Sequence, residues 1–162
     1  MKLIPLSRGL SAIVDDEDYD LLNKRHWYAH RDRRLWYAWT KIPLTDGRQL
    51  TATMHRILLS PSPDTIVDHI NRDGLDNRRA NLRIASPSQN AANGPPRNGR
   101  RYRGTVKQGI KWRAEICVLY KHCRLGTFDT EEQAARAYDD AAKKFFGEFA
   151  YLNFPKEPGV QG

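Results

Sequence analysis

The segment Gly94-Pro-Pro-Arg-Asn-Gly-Arg-Arg101 constrains this chain more than any other stretch. Its eight residues hold two prolines, two glycines and no apolar anchor. Proline removes a backbone donor and glycine carries a large ordering cost, so neither suits the interior of a helix or strand. The stretch reads as an extended linker with a basic edge, and it divides the 162 residues at about residue 95. Each side is then a small module with a modest core.

Charge follows the same division. Lys and Arg number 27 against 19 Asp and Glu, a formal +8, which makes a polyanion the expected partner and nucleic acid the first candidate. Residues 1–96 carry 14 basic and 11 acidic side chains (+3), residues 97–125 nine and one (+8), and residues 126–162 four and seven (−3). The electropositive surface is therefore expected in the middle block. No stretch approaches the roughly 18 apolar residues of a membrane span, and the opening MKLIPLSRGL lacks the apolar core of a signal peptide. The expectation is a soluble, cytoplasmic protein with no membrane partner. Two cysteines, Cys117 and Cys123, make neither a disulfide framework nor a four-ligand zinc site.

Upstream of the linker, Lys2 to Leu6, Ser11 to Val14, His26 to Ala29, Leu35 to Thr40 and Gln49 to Thr53 have the length and aromatic content of strands, and Met54 to Ser60 reads as a short helix stopped by Pro61. The core is expected from Trp27, Tyr28, Trp36, Tyr37, Trp39, Ile57, Leu58, Ile66, Leu75 and Leu82. Val67-Asp68-His69-Ile70 then ends an apolar run with adjacent carboxylate and imidazole. Asn71-Arg-Asp-Gly74 turns the chain, Asn81-Leu82-Arg83-Ile84 returns as a strand, and Ser86-Pro-Ser-Gln89 opens a short helix carrying Asn90. Downstream, Trp112, Ala114, Ile116 and Val118 alternate with Arg113, Glu115, Cys117 and Leu119, the period of a half-buried strand. Thr130-Glu-Glu-Gln133 is a capping box, Ala134, Tyr138, Ala141 and Phe145 recur on one stripe, and Gly147 supplies a left-handed stop.

The runs His55-Arg56-Ile-Leu-Leu, Asp68-His69-Ile-Asn, Leu75-Asp-Asn-Arg78, Asn81-Leu-Arg83 and Gln89-Asn90-Ala-Ala-Asn93 resemble the HNH homing endonucleases with a ββα-metal active site, known from phages and mobile introns. The resemblance covers residues 1–95, with the ββα-metal motif at about 66–93. The family's letters fall on His69, Asn81 and Asn90, 12 and then 9 residues apart. It implies His69 as general base, Asn81 as the residue that orients it, and Asp68 and Asn90 as ligands of a divalent cation, Mg²⁺ with Mn²⁺ as an alternative. The residue types agree. A hard cation prefers oxygen ligands and keeps several waters, and a neutral imidazole takes a proton from water near neutral pH. Asn93, one turn after Asn90, is the alternative ligand. His55 is left open between helix packing, a phosphate contact and a part in the reaction. Some relatives staple this hairpin with structural zinc, for which this chain lacks the cysteine pairs.

A second resemblance covers residues 102–155, through Tyr102-Arg-Gly104, Lys111-Trp-Arg-Ala-Glu-Ile116, Leu125-Gly-Thr-Phe-Asp-Thr130, Glu132-Gln-Ala-Ala-Arg-Ala-Tyr-Asp139 and Leu152-Asn-Phe-Pro155. These runs are similar to the Apetala/ethylene-response-factor DNA-binding domain of plant transcription factors. It implies a three-stranded antiparallel sheet that meets the major groove, with one amphipathic helix on its back. By that resemblance Arg103, Glu115, Cys117, His122 and Arg124 face DNA and Ala114, Ile116 and Leu125 face the helix, with Cys123 towards it as well. Lys107, Lys111, Arg113 and Lys121 are candidate phosphate contacts, and Arg100 and Arg101 extend the basic edge.

The combined expectation is an α+β protein. A nuclease domain without structural zinc (1–95) and a basic linker (96–101) precede a DNA-binding domain (102–155) and a tail (156–162). Its activity would be metal-dependent cutting of double-stranded DNA, with site selection by the second domain and a monomer as the simplest state. One active site per chain favours nicking over a double-strand break. The competing expectation is a DNA-binding regulator with a retired nuclease domain, and RNA binding is a third.

Overall fold

The computed structural model describes residues 1–32 and 34–155, so the tail expected at 156–162 lies outside the described residues. The chain is α+β and separates into two compact units, Met1–Ser86 and Pro87–Gly162.

In the first unit, β1 (Lys2–Pro5) and β2 (Ser11–Val14) form an antiparallel pair, followed by α1 (Asp16–Leu22). Strands β3 (Tyr28–Asp32), β4 (Leu35–Pro43) and β5 (Gln49–Thr53) make an antiparallel meander. Helix α2 (Met54–Leu59) ends on Ser60 in the left-handed region, and β6 (Ile66–His69) pairs antiparallel with β7 (Leu82–Ala85). The strands differ from expectation mainly in extent: β3 begins later than His26, and β4 runs on to Pro43. The acidic run Asp15–Asp20 is a helix that hydropathy did not announce. Asp16, Glu17 and Asp18 lie in its first turn, where carboxylates oppose the positive end of the helix dipole.

Ile4, Val14, Leu22, Trp27 and Met54 are fully buried, and the Trp27 indole N–H donates to Leu22 O at 2.8 Å. Leu58 and Leu82 join them, while Trp36, Ile57 and Leu75 pack at the margin. Tyr28, expected in the core, is instead 42% exposed.

The second unit opens with α3 (Pro87–Ala92), whose proline occupies the first helical position, where its missing N–H costs nothing. Strands β8 (Thr105–Gln108), β9 (Lys111–Val118) and β10 (Lys121–Phe128) form an antiparallel sheet in the order β10-β9-β8, on which α4 (Glu131–Phe146) packs. The Thr130 capping box forms in both directions with Gln133, and Gly147 ends α4 at φ 54°. Beneath α4 lie Ala134, Tyr138 and Ala142, with Phe146 at the margin, whereas Phe145 is 49% exposed. Ala141 packs at the margin as expected, and only Phe145 gives way to Phe146.

The units divide after Ser86, not at residue 95, and hydrogen bonds within the second unit account for it. The Arg103 guanidinium donates to Gly94 O and to Ala91 O, and Tyr151 N–H donates to Ala92 O, so the C-terminal carbonyls of α3 are satisfied by this unit. Among the described residues, no helix is long and apolar enough to cross a membrane.

Candidate functional site

Strand β6 carries Val67 into the core and ends in two buried polar side chains, Asp68 and His69. Residues 70–78 then fold back through short polar bonds. Asp73 N–H donates to Asn71 Oδ1 at 2.9 Å and Leu75 N–H to Asp73 Oδ1 at 3.0 Å, while Arg78 grips the Asp76 carboxylate at 2.8 and 2.6 Å. The loop is tied to β2 on both sides of Asp76, by Ile13 N–H to Leu75 O and Asn77 N–H to Ile13 O, each 2.8 Å. It also presses on β4 at Gly74, where a Cβ would collide with the Trp36 carbonyl and the Tyr37 ring.

Asn81 bridges this hairpin. Its Oδ1 accepts from Asn71 N–H at 3.0 Å, and its Nδ2 donates to Asn71 Oδ1 at 2.9 Å and to Asp76 O at 2.7 Å. The amide that reaches the His69 ring is that of Asn77, which is fully buried. Asn77 Nδ2 donates to Gly74 O, which leaves Oδ1 facing His69 Nε2 at 3.4 Å. An amide oxygen only accepts, so this contact is a hydrogen bond in the tautomer that carries the His69 proton on Nε2. Burial pushes the imidazole below its ordinary value, against the Asn77 bond and the carboxylates of Asp68, Asp73 and Asp76.

Two further rings stand beside His69. His55 stands perpendicular to His69 at a centroid distance of 5.0 Å, and Tyr37 lies 5.9 Å from each. His55 Nε2 is 2.9 Å from Thr53 Oγ1. Burial, then repulsion from His69 and Arg56, pushes His55 down to about 3, so it is neutral at physiological pH. Burial raises the Tyr37 phenol, with Asp32 and Asp68 adding to it.

Asp68 faces Arg83 across β6 and β7, and its Oδ2 accepts from Arg83 Nε at 2.9 Å and Nη2 at 2.8 Å. Among the described residues no three His, Cys, Asp or Glu side chains converge as a metal site. A single carboxylate supplemented by neutral oxygens and water is nevertheless the donor chemistry of Mg²⁺, so Asp68 fits a hard cation by donor type. Asn90 is exposed on α3 and Asn93 is buried, both in the second unit. Asn77 and Arg83 lie inside motif runs but received no role from the sequence. Spacing identifies a motif but not which of its amides turns inward.

In the second unit, the sheet register separates two faces. Arg113, Glu115, Cys117, His122, Arg124 and Thr127 share the face away from α4, where Arg113 Nη2 donates to Glu115 at 3.0 Å and Arg124 Nη2 to Thr127 Oγ1 at 2.6 Å. Lys111 shares it by alternation and pairs with Asp129 at 3.1 Å. Lys107 and Lys121, expected as candidate phosphate contacts, pair with Trp112 and Val118, which puts them on the α4 side of the sheet. Arg103 also departs from expectation, since its guanidinium caps α3. Arg100 donates to Thr105 O at 3.3 Å, and Arg101 pairs with Glu132 at 3.0 Å. Cys123 shares the register position of the buried Ile116, yet both thiols are exposed and free. Among the described residues, Arg113 Nε is the one buried side-chain nitrogen or oxygen atom without a hydrogen-bond partner.

Residues 60–92, which contain the β6–β7 hairpin, match the model of the HNH endonuclease family. Over most of its length the chain is similar to a protein of Acanthamoeba polyphaga mimivirus described as an uncharacterized HNH endonuclease, L560. Identity is 28% over 155 residues, covering 93% of this chain and 79% of that protein. Part of the chain is similar to plant proteins. Dehydration-responsive element-binding protein 2A of Arabidopsis thaliana is 50% identical over 68 residues, 39% of this chain and 20% of that protein. AP2-like ethylene-responsive transcription factor At1g79700 of Arabidopsis thaliana is 32% identical over 111 residues, 58% of this chain and 37% of that protein. The chain thus spans less than two thirds of the length of these plant relatives.

Proposed function

We propose that this protein is a divalent-metal-dependent DNA endonuclease in which the first unit hydrolyses a phosphodiester and the sheet of the second unit holds duplex DNA. The observation that carries the reading is His69, buried at the end of β6 next to Asp68, with its Nε2 facing Asn77 Oδ1 at 3.4 Å. Burial favours the neutral ring, the form that can accept a proton from water at physiological pH. Asn81 fixes the hairpin behind His69. Asp68 supplies the anionic ligand of a Mg²⁺ or Mn²⁺ ion, with Asn90 offering an amide oxygen by resemblance alone. When bound, the cation supplies electrostatic stabilisation of charge developing at the phosphate. On the open face of β8–β10, Lys111, Arg113, Glu115 and Arg124 are the residues proposed to meet DNA. A bound phosphate would give Arg113 a partner beyond Glu115. Arg100 and Arg101 extend this basic surface, while Arg103, Lys107 and Lys121 contribute charge from behind it. One hydrolytic site per chain points to nicking, by a monomer.

One observation favours the rival reading of a non-catalytic DNA-binding regulator: Asp68 is ion-paired with Arg83. Incubation with plasmid and genomic DNA, in Mg²⁺ or in chelator, beside Asp68→Asn separates the two. Metal-dependent cutting that disappears in the variant while DNA binding persists supports the nuclease. Binding without cutting on any DNA supports the regulator.

A further inference from the structure

Arg83 takes no part in the reaction described above, yet it contacts the residue on which cation binding depends. It lies directly across the hairpin from Asp68, its Nε and Nη2 donate to Oδ2, and the two side chains are only 10% and 6% exposed. A buried pair of this kind persists because removal of either partner strands the other charge. The carboxylate assigned to a cation therefore already holds one.

A divalent ion arriving at Asp68 meets a positive guanidinium within a few bond lengths, in surroundings that screen charge poorly. Two events relieve the repulsion: the guanidinium leaves the carboxylate, or an anion joins the site. A phosphodiester does both at once, because its two non-bridging oxygens match the planar Arg fork that the carboxylate now occupies. We propose that Arg83 is a phosphate-binding residue that neutralises Asp68 in the free protein and passes to a DNA phosphodiester in the complex, so that cation binding and DNA binding are coupled. The inference rests on the reading of Asp68 as a metal ligand. The coupling is reciprocal: DNA tightens the cation by the factor by which the cation tightens DNA, typically about 5–150-fold for coupled sites.

The test measures Mn²⁺ affinity by electron paramagnetic resonance on the full chain, with and without a mixed-sequence DNA duplex, in a His69→Ala background that prevents turnover. The parent should bind Mn²⁺ weakly alone and at least about fivefold more tightly with duplex. Arg83→Gln should bind Mn²⁺ more tightly than the parent without DNA and lose most of the enhancement by duplex. Arg83→Lys retains the charge but not the fork. It should stay weak without DNA and show a smaller enhancement, which gives a readout even if Arg83→Gln does not fold. Parent affinity that is indifferent to duplex overturns the proposal, as does an Arg83→Gln protein with the parent's affinities or an Arg83→Lys protein with the parent's full enhancement. Asp68→Asn distinguishes the underlying reading. If it binds Mn²⁺ as the parent does, Asp68 is not the ligand, whereas loss of binding there with no Arg83 effect removes the coupling alone.

Discussion

His69 depends on a neighbour that its own sequence surroundings do not reveal. Asn77 is eight positions away, fully buried, and oriented by its own bond to Gly74 O. Asn77→Ala should slow cleavage by about 10–100-fold, the usual effect of removing an outer-shell partner, with DNA affinity retained. It should also destabilise the fold by about 1–3 kcal/mol, because the His69 Nε2–H loses its acceptor. Single-turnover kinetics and urea unfolding check both. His55 gives a pH signature. Its imidazole titrates near 6.5 in the unfolded chain and at about 3 when folded, so between those values the unfolded chain binds the extra proton. Stability that is present above pH 6.5 should therefore fall as pH drops through that window. His55→Phe should lose less unfolding free energy than the parent between about pH 7 and 4.5, and an equal loss would contradict the assignment. Asp68, His69, Asn81 and Asn90 came to attention through the family resemblance, which implies their roles. Asn77 and Arg83 did not, since their importance lies in which way a buried amide and a guanidinium turn.

At the scale of elements, legibility followed local chemistry. Helix α4 was readable because its capping box and left-handed stop are encoded in adjacent residues. Thr130→Ala should cost about 1 kcal/mol in thermal or chemical unfolding. Helix α1 was not readable, because its seven residues bury only Asp18 and Leu22 and offer little apolar period. Its anchor is long-range: Asp18 accepts the Arg79 fork at 2.8 and 2.7 Å, 61 positions along the chain. The alternation of β9 was clear from sequence, but the facing of Lys107 and Lys121 depends on register with its neighbours. Register therefore supports a comparison of two full-length variants. Neutralising Lys111, Arg113 and Arg124 with Gln should reduce the salt dependence of DNA binding by about 0.9 for each phosphate that is no longer neutralised. Neutralising Lys107 and Lys121 should change it less. The opposite ranking would show that DNA does not meet the face away from α4.

Over the whole molecule, the linker chemistry points to a division near residue 95, whereas the two compact units divide after Ser86. Proline and glycine mark where regular structure stops, whereas the boundary after Ser86 follows from the bonds that hold α3 to Arg103 and Tyr151. Net charge likewise located a basic block at residues 97–125 without saying that Arg103 is occupied by backbone carbonyls. The central claim rests on neither feature but on one imidazole. Its most direct test is the single-turnover rate of plasmid cutting in Mg²⁺ by the full chain and by His69→Ala, with DNA affinity measured on both. Loss of general-base catalysis predicts a rate lower by about 10²–10⁴-fold at unchanged affinity. A His69→Ala protein that cuts at the parent rate would contradict the account.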